Sequence, residues 1–192
     1  MMVVTRMAEG MIARLLPRYA EPHRRYHTWT HIEACFEAAE FLVTPLPLDI
    51  MLALLYHDAI YDPERPDNEE KSAALLMEEG GRDGYETATL ERACRMILAT
   101  KHDVPESADA SIVVDADLSI LGASAPVFDK YEDAIREEYA FVDDAPFAAG
   151  RRKIMQSFLD RERIFLTRIG HAMWEEAARM NLHRSVKRWG RK

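Results

Sequence analysis

Histidine and aspartate residues, which are common ligands of divalent metals, occur in four short stretches of this sequence. Each stretch alone has an ordinary explanation, because a single histidine on a helix is more often a hydrogen-bonded structural residue than a ligand. Together they favour a shared site, since buried charge is costly unless it is paired or bound to a metal. The four stretches are Y-H-T-W-T-H at 26–31, H-D at 57–58, T-K-H-D at 100–103 and V-V-D-A-D-L-S at 113–119.

The H-D dipeptide ends the apolar run L-D-I-M-L-A-L-L at 48–55, where a helix is expected. Neighbours on a helix point about 100° apart, so near a helix end both side chains can reach one ion on the same side. Asp115 and Asp117 border apolar residues, but two positions apart they face nearly opposite ways. Only one of them is expected to bind the same ion. Mixed imidazole and carboxylate ligands suit Mn²⁺, Fe²⁺, Mg²⁺, Co²⁺ or Zn²⁺.

Composition narrows the class of protein. The chain has 192 residues with 48% hydrophobic and 30% charged residues, which is typical of a globular domain. A net charge of −8 argues against a general nucleic-acid binder or a membrane-surface protein. There is no run of ~18 apolar residues and no signal-peptide pattern, so a cytoplasmic protein is expected. Two distant cysteines, Cys35 and Cys94, are expected to be reduced and outside any ligand pattern.

Helical periodicity extends over almost the whole chain, and hairpin signals are few. The sequence therefore predicts an all-α fold with a single domain over 1–192. Asp67 is expected to cap a helix as part of a capping box with Glu70, and that helix is expected to reach Gly80-Gly81. The predicted helices span about 7–18, 30–43, 47–58, 68–80, 86–100, 108–121, 126–142, 145–163 and 166–187.

An ordered set of motifs resembles the HD-domain superfamily, and within it a small bacterial branch of predicted metal-dependent phosphohydrolases. The full set in order is specific, whereas the H-D dipeptide alone is common. The resemblance covers about 24–182 and implies an HD-type helical bundle. The motifs are Y-H-T-W-T-H-I at 26–32, H-D-A-I-Y-D-P at 57–63, D-N-E-E-K-S-A at 67–73, D-A-D-L-S-I-L-G at 115–122 and I-R-E-E-Y at 135–139.

The resemblance implies one divalent ion, of Mn, Fe, Co, Mg, Ni or Zn. Asp117 is favoured over Asp115 because the family ligand usually precedes a leucine, and Asp115 would then orient a ligand histidine. His102 is a candidate for an extra ligand or a phosphate contact. The four implied ligands are His31, His57, Asp58 and Asp117.

Five further residues are implied to act on the substrate. His27 resembles a general acid of cyclic-nucleotide phosphodiesterase domains, or is a hydrogen-bonding residue before a helix. Asp62 and Asp67 match acidic residues near the attacking water of bacterial HD nucleotidases, with a turn and an N-cap as the alternatives. Lys101 and Arg136 are candidate phosphate contacts. The alternative for Arg136 is an ion pair with Glu132.

The implied activity is hydrolysis of a small phosphate ester, with nucleotides among the candidates, by attack of a metal-bound hydroxide. A catalytically silent metal- or ligand-binding regulatory protein is the alternative, and a di-iron oxygenase of HD type ranks last. The expected partner is a small phosphorylated substrate, without general nucleic-acid or membrane binding. A homodimer is left open, since Trp189 in the basic end at 184–192 suits either a subunit contact or a mobile tail. Arg151 and Arg152 suit either a surface contact or a solvated helix terminus.

Overall fold

The helical periodicity of the sequence corresponds to regular helices. Within residues 2–101, 105 and 107–190, which the computed structural model describes, the chain forms nine α-helices and one 3-10 helix and has no β-strand. The all-α prediction is confirmed. The helices are α1 Met2–Tyr19, α2 Trp29–Leu42, α3 Leu48–Tyr56, α4 Asn68–Arg82, α5 Thr87–Ala99, α6 Ala108–Asp117, the 3-10 helix Leu118–Gly122, α7 Ala125–Glu138, α8 Asp144–Leu159 and α9 Arg168–Trp189.

The chain divides into two compact units, Met1–Ala116 and Asp117–Lys192, which are described separately. The division falls inside the last turn of α6, where the sequence predicts uninterrupted helix to about residue 121. There the α-helix ends at Asp117 and the chain tightens into the 3-10 helix. A single domain over 1–192 stays a prediction.

The first unit is built around α3. Its residues are apolar on all sides, which is the pattern of a helix surrounded by others. Ile50, Leu54 and Tyr56 have no exposed surface, and α3 packs against α1, α2, α4 and α5. The chain passes through the core along α3 and leaves it at the carboxyl end of this helix. His57 and Asp58 follow at that end.

Helix α4 continues through Gly80-Gly81 to Arg82 instead of ending at the glycines. Gly80 serves packing, because a Cβ there would lie 2.4 Å from a methyl carbon of Leu90 on α5. Gly84, with φ of +83°, takes the left-handed conformation just after the helix. The glycine that ends α4 is therefore Gly84.

In the second unit, the 3-10 helix lies against α9 at a very short distance. A Cβ on Gly122 would lie 2.5 Å from the Cβ of Trp174 and 2.9 Å from its carbonyl oxygen. The Asn181 side-chain amide donates to the carbonyls of Leu121 and Ala123 at 2.9 and 2.8 Å. Only glycine fits at this crossing without moving backbone.

We therefore expect Gly122→Ala to destabilise the protein by ~1–3 kcal/mol, because the added methyl meets backbone that cannot rotate away. Gly150→Ala is the matched control, since a Cβ on Gly150 in α8 meets no atom within 4 Å. That control should be neutral or stabilising by up to ~1 kcal/mol from helix propensity. Urea denaturation measures both, and equal free energies of unfolding for the two variants would contradict the packing interpretation.

Glu175 of α9 fixes the segment that enters this helix. Its carboxylate accepts the backbone N–H groups of Ile164 and Phe165, at 3.0 and 3.1 Å, and that of the Arg179 guanidinium at 2.8 Å. Burial alone would raise the pKa of Glu175, but these hydrogen bonds outweigh it and lower the pKa below its usual value. The ionised form is the one that the fold stabilises.

We expect Glu175→Gln to lower the free energy of unfolding by ~1–3 kcal/mol at pH 7. Because the folded pKa is depressed, the wild-type advantage is complete above the unfolded pKa of about 4.3. It is then lost as the pH falls through the folded value. Urea denaturation between pH 7 and pH 3 should show the two proteins converging in acid. The exposed neighbour Glu176→Gln should show no such convergence, and a pH-independent difference for Glu175→Gln would contradict the assignment.

A buried ionic network joins α7, α8 and α9 at Glu132, whose exposed fraction is 1%. Arg151 donates to Oε1 at 2.9 and 2.5 Å, while Ser185 and the Trp189 indole donate to Oε2 at 2.6 and 2.5 Å. Trp189 is 3% exposed. Trp189 is therefore packed within its own chain and is not part of a mobile tail, Arg151 is not a surface residue, and the homodimer stays a prediction.

A helix that crosses a bilayer must be long and predominantly apolar. None of the described helices qualifies by itself to cross a bilayer, and 108–122 with 125–138 qualifies only as a bent pair.

Candidate metal centre

His31 and His57 come from two helices and meet in the interior of the first unit. His31 lies in the first turn of α2 and is 4% exposed, and His57 follows the last turn of α3 and is 1% exposed. Their Nε2 atoms are 3.1 Å apart. Two imidazole nitrogens at this distance need a shared proton or a shared cation between them.

A backbone contact fixes the orientation of His57. Its Nδ1 lies 3.0 Å from the carbonyl oxygen of Leu54. A carbonyl only accepts, so Nδ1 carries the proton, and in the neutral ring Nε2 keeps its lone pair. A second-sphere hydrogen bond of this kind is the usual way in which proteins present a histidine to a metal.

Asp58 completes a triangle of ligand atoms. Its Oδ2 lies 3.2 Å from His57 Nε2 and 3.4 Å from His31 Nε2. Adjacent residues at the end of α3 thus converge on one point, as predicted. Atoms bound to one ion at about 2.1 Å are separated by about 3.0 Å in octahedral and 3.4 Å in tetrahedral arrangement, so the three atoms fit either geometry.

The charge state of Asp58 suits this role. Burial would raise the pKa of its carboxyl, but protonated His57 and His27 nearby and hydrogen bonds donated by His31 and His57 hold that pKa well below its usual range. A cation that takes the place of these ring protons acts on the carboxyl in the same direction. Its side chain is 18% exposed. Asp58 is therefore ionised at neutral pH and offers a carboxylate to the centre.

Within the described part of the chain, His31, Cys35, His57 and Asp117 offer ligand atoms that all lie within 4.8 Å of one another. Asp58 adjoins the two histidines but is not a member of this group of four. Asp117 is the last residue of α6, and its membership agrees with its choice over Asp115, which is fully buried. Cys35 was not expected in this group, whereas the prediction that both cysteines are free is confirmed. The donor set fits a divalent metal ion.

Arg24 positions the loop before α2. Its exposed fraction is 3%, and its guanidinium donates to the carbonyls of His27, Asp58 and Ala59 at 2.9, 2.8 and 3.3 Å. The planar group also lies over the rings of Tyr19 and Tyr61. One buried cation thus ties the H-D turn to the segment that leads into His31.

We expect Arg24→Lys to weaken divalent-metal binding roughly tenfold, because an ammonium cannot reproduce the forked donor geometry that holds both segments. Arg25→Lys is the matched control, since Arg25 is exposed and donates to the carbonyls of Pro22 and Arg24 in its own turn. Titration with Co²⁺ measures both variants. Equal Co²⁺ affinities of the two variants would show that Arg24 does not position the metal ligands.

His27 lies beside the ligand histidines. Its ring stacks on Tyr61, with centroids 4.1 Å apart, and lies 5.9 Å from the ring of His31. It is half-buried. The structure therefore places the predicted acid at the edge of the cluster.

The two predicted acidic residues after the H-D pair have local roles. Asp62 accepts the backbone N–H of Glu64 at 3.0 Å, which is an Asx turn. Asp67 occupies the N-cap position of α4 but makes no capping hydrogen bond. Its carboxylate instead receives two bonds of 2.8 Å from Arg65, which lower its pKa. The capping box is therefore wrong, and Glu70 binds Lys101.

The predicted phosphate contacts have partners within their own units. Lys101 donates to Glu70 at 2.5 Å and to the carbonyl of Pro66 at 3.0 Å. Arg136 donates to the carbonyls of Tyr139 and Val142 and to Asp144, so its partner is not Glu132. The third candidate, His102, lies outside the described residues.

Sequence reasoning missed Cys35 as a member of the group and Arg24 as a positioning residue. A signal existed for Cys35, because it follows His31 by four residues and so lies on the same face of α2. For Arg24 there was no comparable signal, since the two carbonyls by which it holds the H-D turn lie 34 and 35 residues further along the chain.

Comparisons with known proteins gave no match. No protein-family model matches the chain, and no curated protein or solved structure is significantly similar to it. The metal-binding capacity of the cluster therefore rests on the geometry above.

Proposed function

We propose that this protein is a metal-dependent phosphohydrolase of HD type acting on a small phosphate ester. The observation that supports it best is the convergence of His31 Nε2, His57 Nε2 and Asp58 Oδ2 within 3.1–3.4 Å of one another. These atoms come from the H…HD part of the HD motif set, and Asp117 supplies the later aspartate. One divalent ion is proposed at this centre.

Each side chain has a defined task in the proposal. A bound divalent ion supplies a Lewis acid that lowers the pKa of water and polarises a phosphoryl oxygen. His57 donates its Nδ1 proton in a hydrogen bond to the Leu54 carbonyl and so presents Nε2 to the metal centre. Asp58 remains a carboxylate and neutralises part of the cationic charge.

Protonation of the leaving oxygen is assigned to His27. Its ring is held in place by Tyr61 and lies beside His31, so a ring N–H can face a phosphate ester that enters at this edge. Lys101 contacts the phosphate only if it exchanges its bond with Glu70. Arg136 is not used, because its guanidinium closes the end of α7.

The test is elemental analysis of freshly purified protein, combined with phosphate release from nucleoside monophosphates and from aryl phosphate mono- and diesters. Wild type should contain near-stoichiometric divalent metal and hydrolyse at least one ester class with Mn²⁺, Co²⁺ or Mg²⁺. The double variant His57→Ala/Asp58→Ala should lose both properties while keeping its helical circular dichroism. His183→Ala, an exposed histidine on α9, should keep both.

Two results would count against the proposal in different ways. Absence of metal from folded wild type, even after incubation with these ions, would remove the metal centre itself. Stoichiometric metal without turnover of any mono- or diester would favour the regulatory, metal-binding alternative.

A further inference from the structure

Cys35 lies at the candidate metal centre but is not part of the histidine and aspartate motifs from which that centre was predicted. It follows His31 by one turn of α2, and its exposed fraction is 1%. Its Sγ is 3.6 Å from both Nδ1 and Nε2 of His31. The thiol is thus directed along the same helix face as a candidate ligand.

The separation of these two atoms is informative. A zinc ion bound to sulfur at about 2.3 Å and to nitrogen at about 2.1 Å, with a tetrahedral angle, separates the two ligand atoms by about 3.6 Å. The observed distance from Sγ to Nε2 of His31 equals this value. Sγ is equally far from both ring nitrogens and so lies beside the His31 ring, not along the Nε2 lone pair, while it is also within 4.8 Å of a ligand nitrogen of His57. A rotation of the Cys35 or His31 side chain is therefore the movement that brings the sulfur to the shared ion.

We propose that Cys35 is a thiolate ligand of the centre and makes it select borderline, thiophilic ions such as Zn²⁺ and Co²⁺ over Mg²⁺ and Mn²⁺. The inference rests on the proposed function, since it concerns the same ion. It departs from the histidine and aspartate ligand set that the motifs imply. The proposed reason for the metal selectivity is the sulfur ligand that Cys35 provides.

Ligand softness and charge both support this assignment. Thiolate sulfur favours zinc and similar ions, whereas magnesium and manganese prefer oxygen ligands. A coordinating thiol gives up its proton, so Cys35 and Asp58 together bring two negative charges. Together with Asp117 they make the ligand set anionic, which stabilises a buried divalent cation.

The other cysteine provides a contrast within the same chain. Cys94 on α5 donates from Sγ to the carbonyl oxygen of Ala73 at 3.3 Å. Burial raises the pKa of the Cys94 thiol to about 11. Cys94 is not a member of the ligand group among the described residues, so the same substitution there is a matched control.

The experiment titrates metal-free protein with Co²⁺ and records the near-ultraviolet sulfur-to-cobalt charge-transfer absorption. Wild type and Cys94→Ser should develop this absorption, and Cys35→Ser should lose it. Competition titrations should show at least tenfold weaker Zn²⁺ binding for Cys35→Ser, with a change of less than about twofold for Mn²⁺. Circular dichroism checks folding, and Cys35→Ala serves as a second variant.

The outcomes separate this inference from the proposed function. Co²⁺ binding by wild type without charge-transfer absorption would overturn the role of Cys35 and leave the metal centre standing. This result does not depend on whether any variant folds. Failure of wild type to bind Co²⁺, Zn²⁺ or Mn²⁺ would overturn both. Equal loss of Zn²⁺ and Mn²⁺ affinity in folded Cys35→Ser would overturn the selectivity.

Discussion

Replacing His57 with alanine is expected to lower the affinity for Co²⁺ or Zn²⁺ at least ~100-fold, because loss of a mere outer-sphere partner already costs 10–100-fold. His57 supplies the Nε2 that lies within 3.2 Å of both His31 Nε2 and Asp58 Oδ2. Without it, His31 and Asp58 remain as neighbours 3.4 Å apart on two segments. The site then loses the ligand whose orientation is fixed best.

Thermal unfolding with and without metal measures this loss alongside direct titration. A ligand at 100 times its dissociation constant stabilises the folded state by ~2.7 kcal/mol, so wild type should show a clear rise in Tm. His57→Ala should show none at the same metal concentration. His57→Asn keeps a polar group and guards against simple cavity effects, and His183→Ala should behave as wild type. An unchanged metal-dependent Tm in both His57 variants would remove His57 from the centre.

Replacing Arg151 with leucine is expected to destabilise the protein by ~3–5 kcal/mol, the cost of leaving one partner of a buried ion pair alone. Glu132 is 1% exposed and would keep only the Ser185 and Trp189 donors on Oε2. Its Oε1 would lose both guanidinium bonds. The uncompensated carboxylate makes this the largest stability effect that we expect from one substitution.

The neighbouring position supplies the control for this prediction. Arg152 is exposed on the same turn of α8, so Arg152→Leu should change the free energy of unfolding by less than ~0.5 kcal/mol. The double variant Glu132→Met/Arg151→Leu should recover most of the loss, because removing both charges also removes the desolvation penalty. Urea denaturation measures all three proteins. A cost below ~1 kcal/mol for Arg151→Leu would show that water or another group satisfies Glu132.

Helix positions followed from the sequence because the signals are local. Apolar spacing, prolines and turn residues predicted nine helices near their observed positions. The adjacency of His57 and Asp58 at the end of an apolar helix also predicted their convergence, since helix geometry alone determines where neighbours point. Asp117 was favoured over Asp115 because it matches the aspartate that precedes a leucine in the family motif, and the ligand group contains Asp117.

The partners of long polar side chains did not follow from the sequence. Asp67 had a good N-cap position, yet Arg65 captures its carboxylate. Glu70, the other half of the predicted capping box, pairs instead with Lys101. Several donors compete for each carboxylate at similar free energy, and only their three-dimensional placement decides among them.

The sequence by itself determined the all-α architecture and the place of His57 and Asp58 at the end of an apolar helix, because both depend on periodicity and residue type over one or two turns. Only the tertiary structure decided that Cys35 joins the histidines, that Arg24 ties the H-D turn to the preceding loop, and that Trp189 is buried. These three depend on which segments meet across the fold. Close packing and the cost of unsatisfied buried groups select those meetings, and neither is a property of a local stretch of sequence.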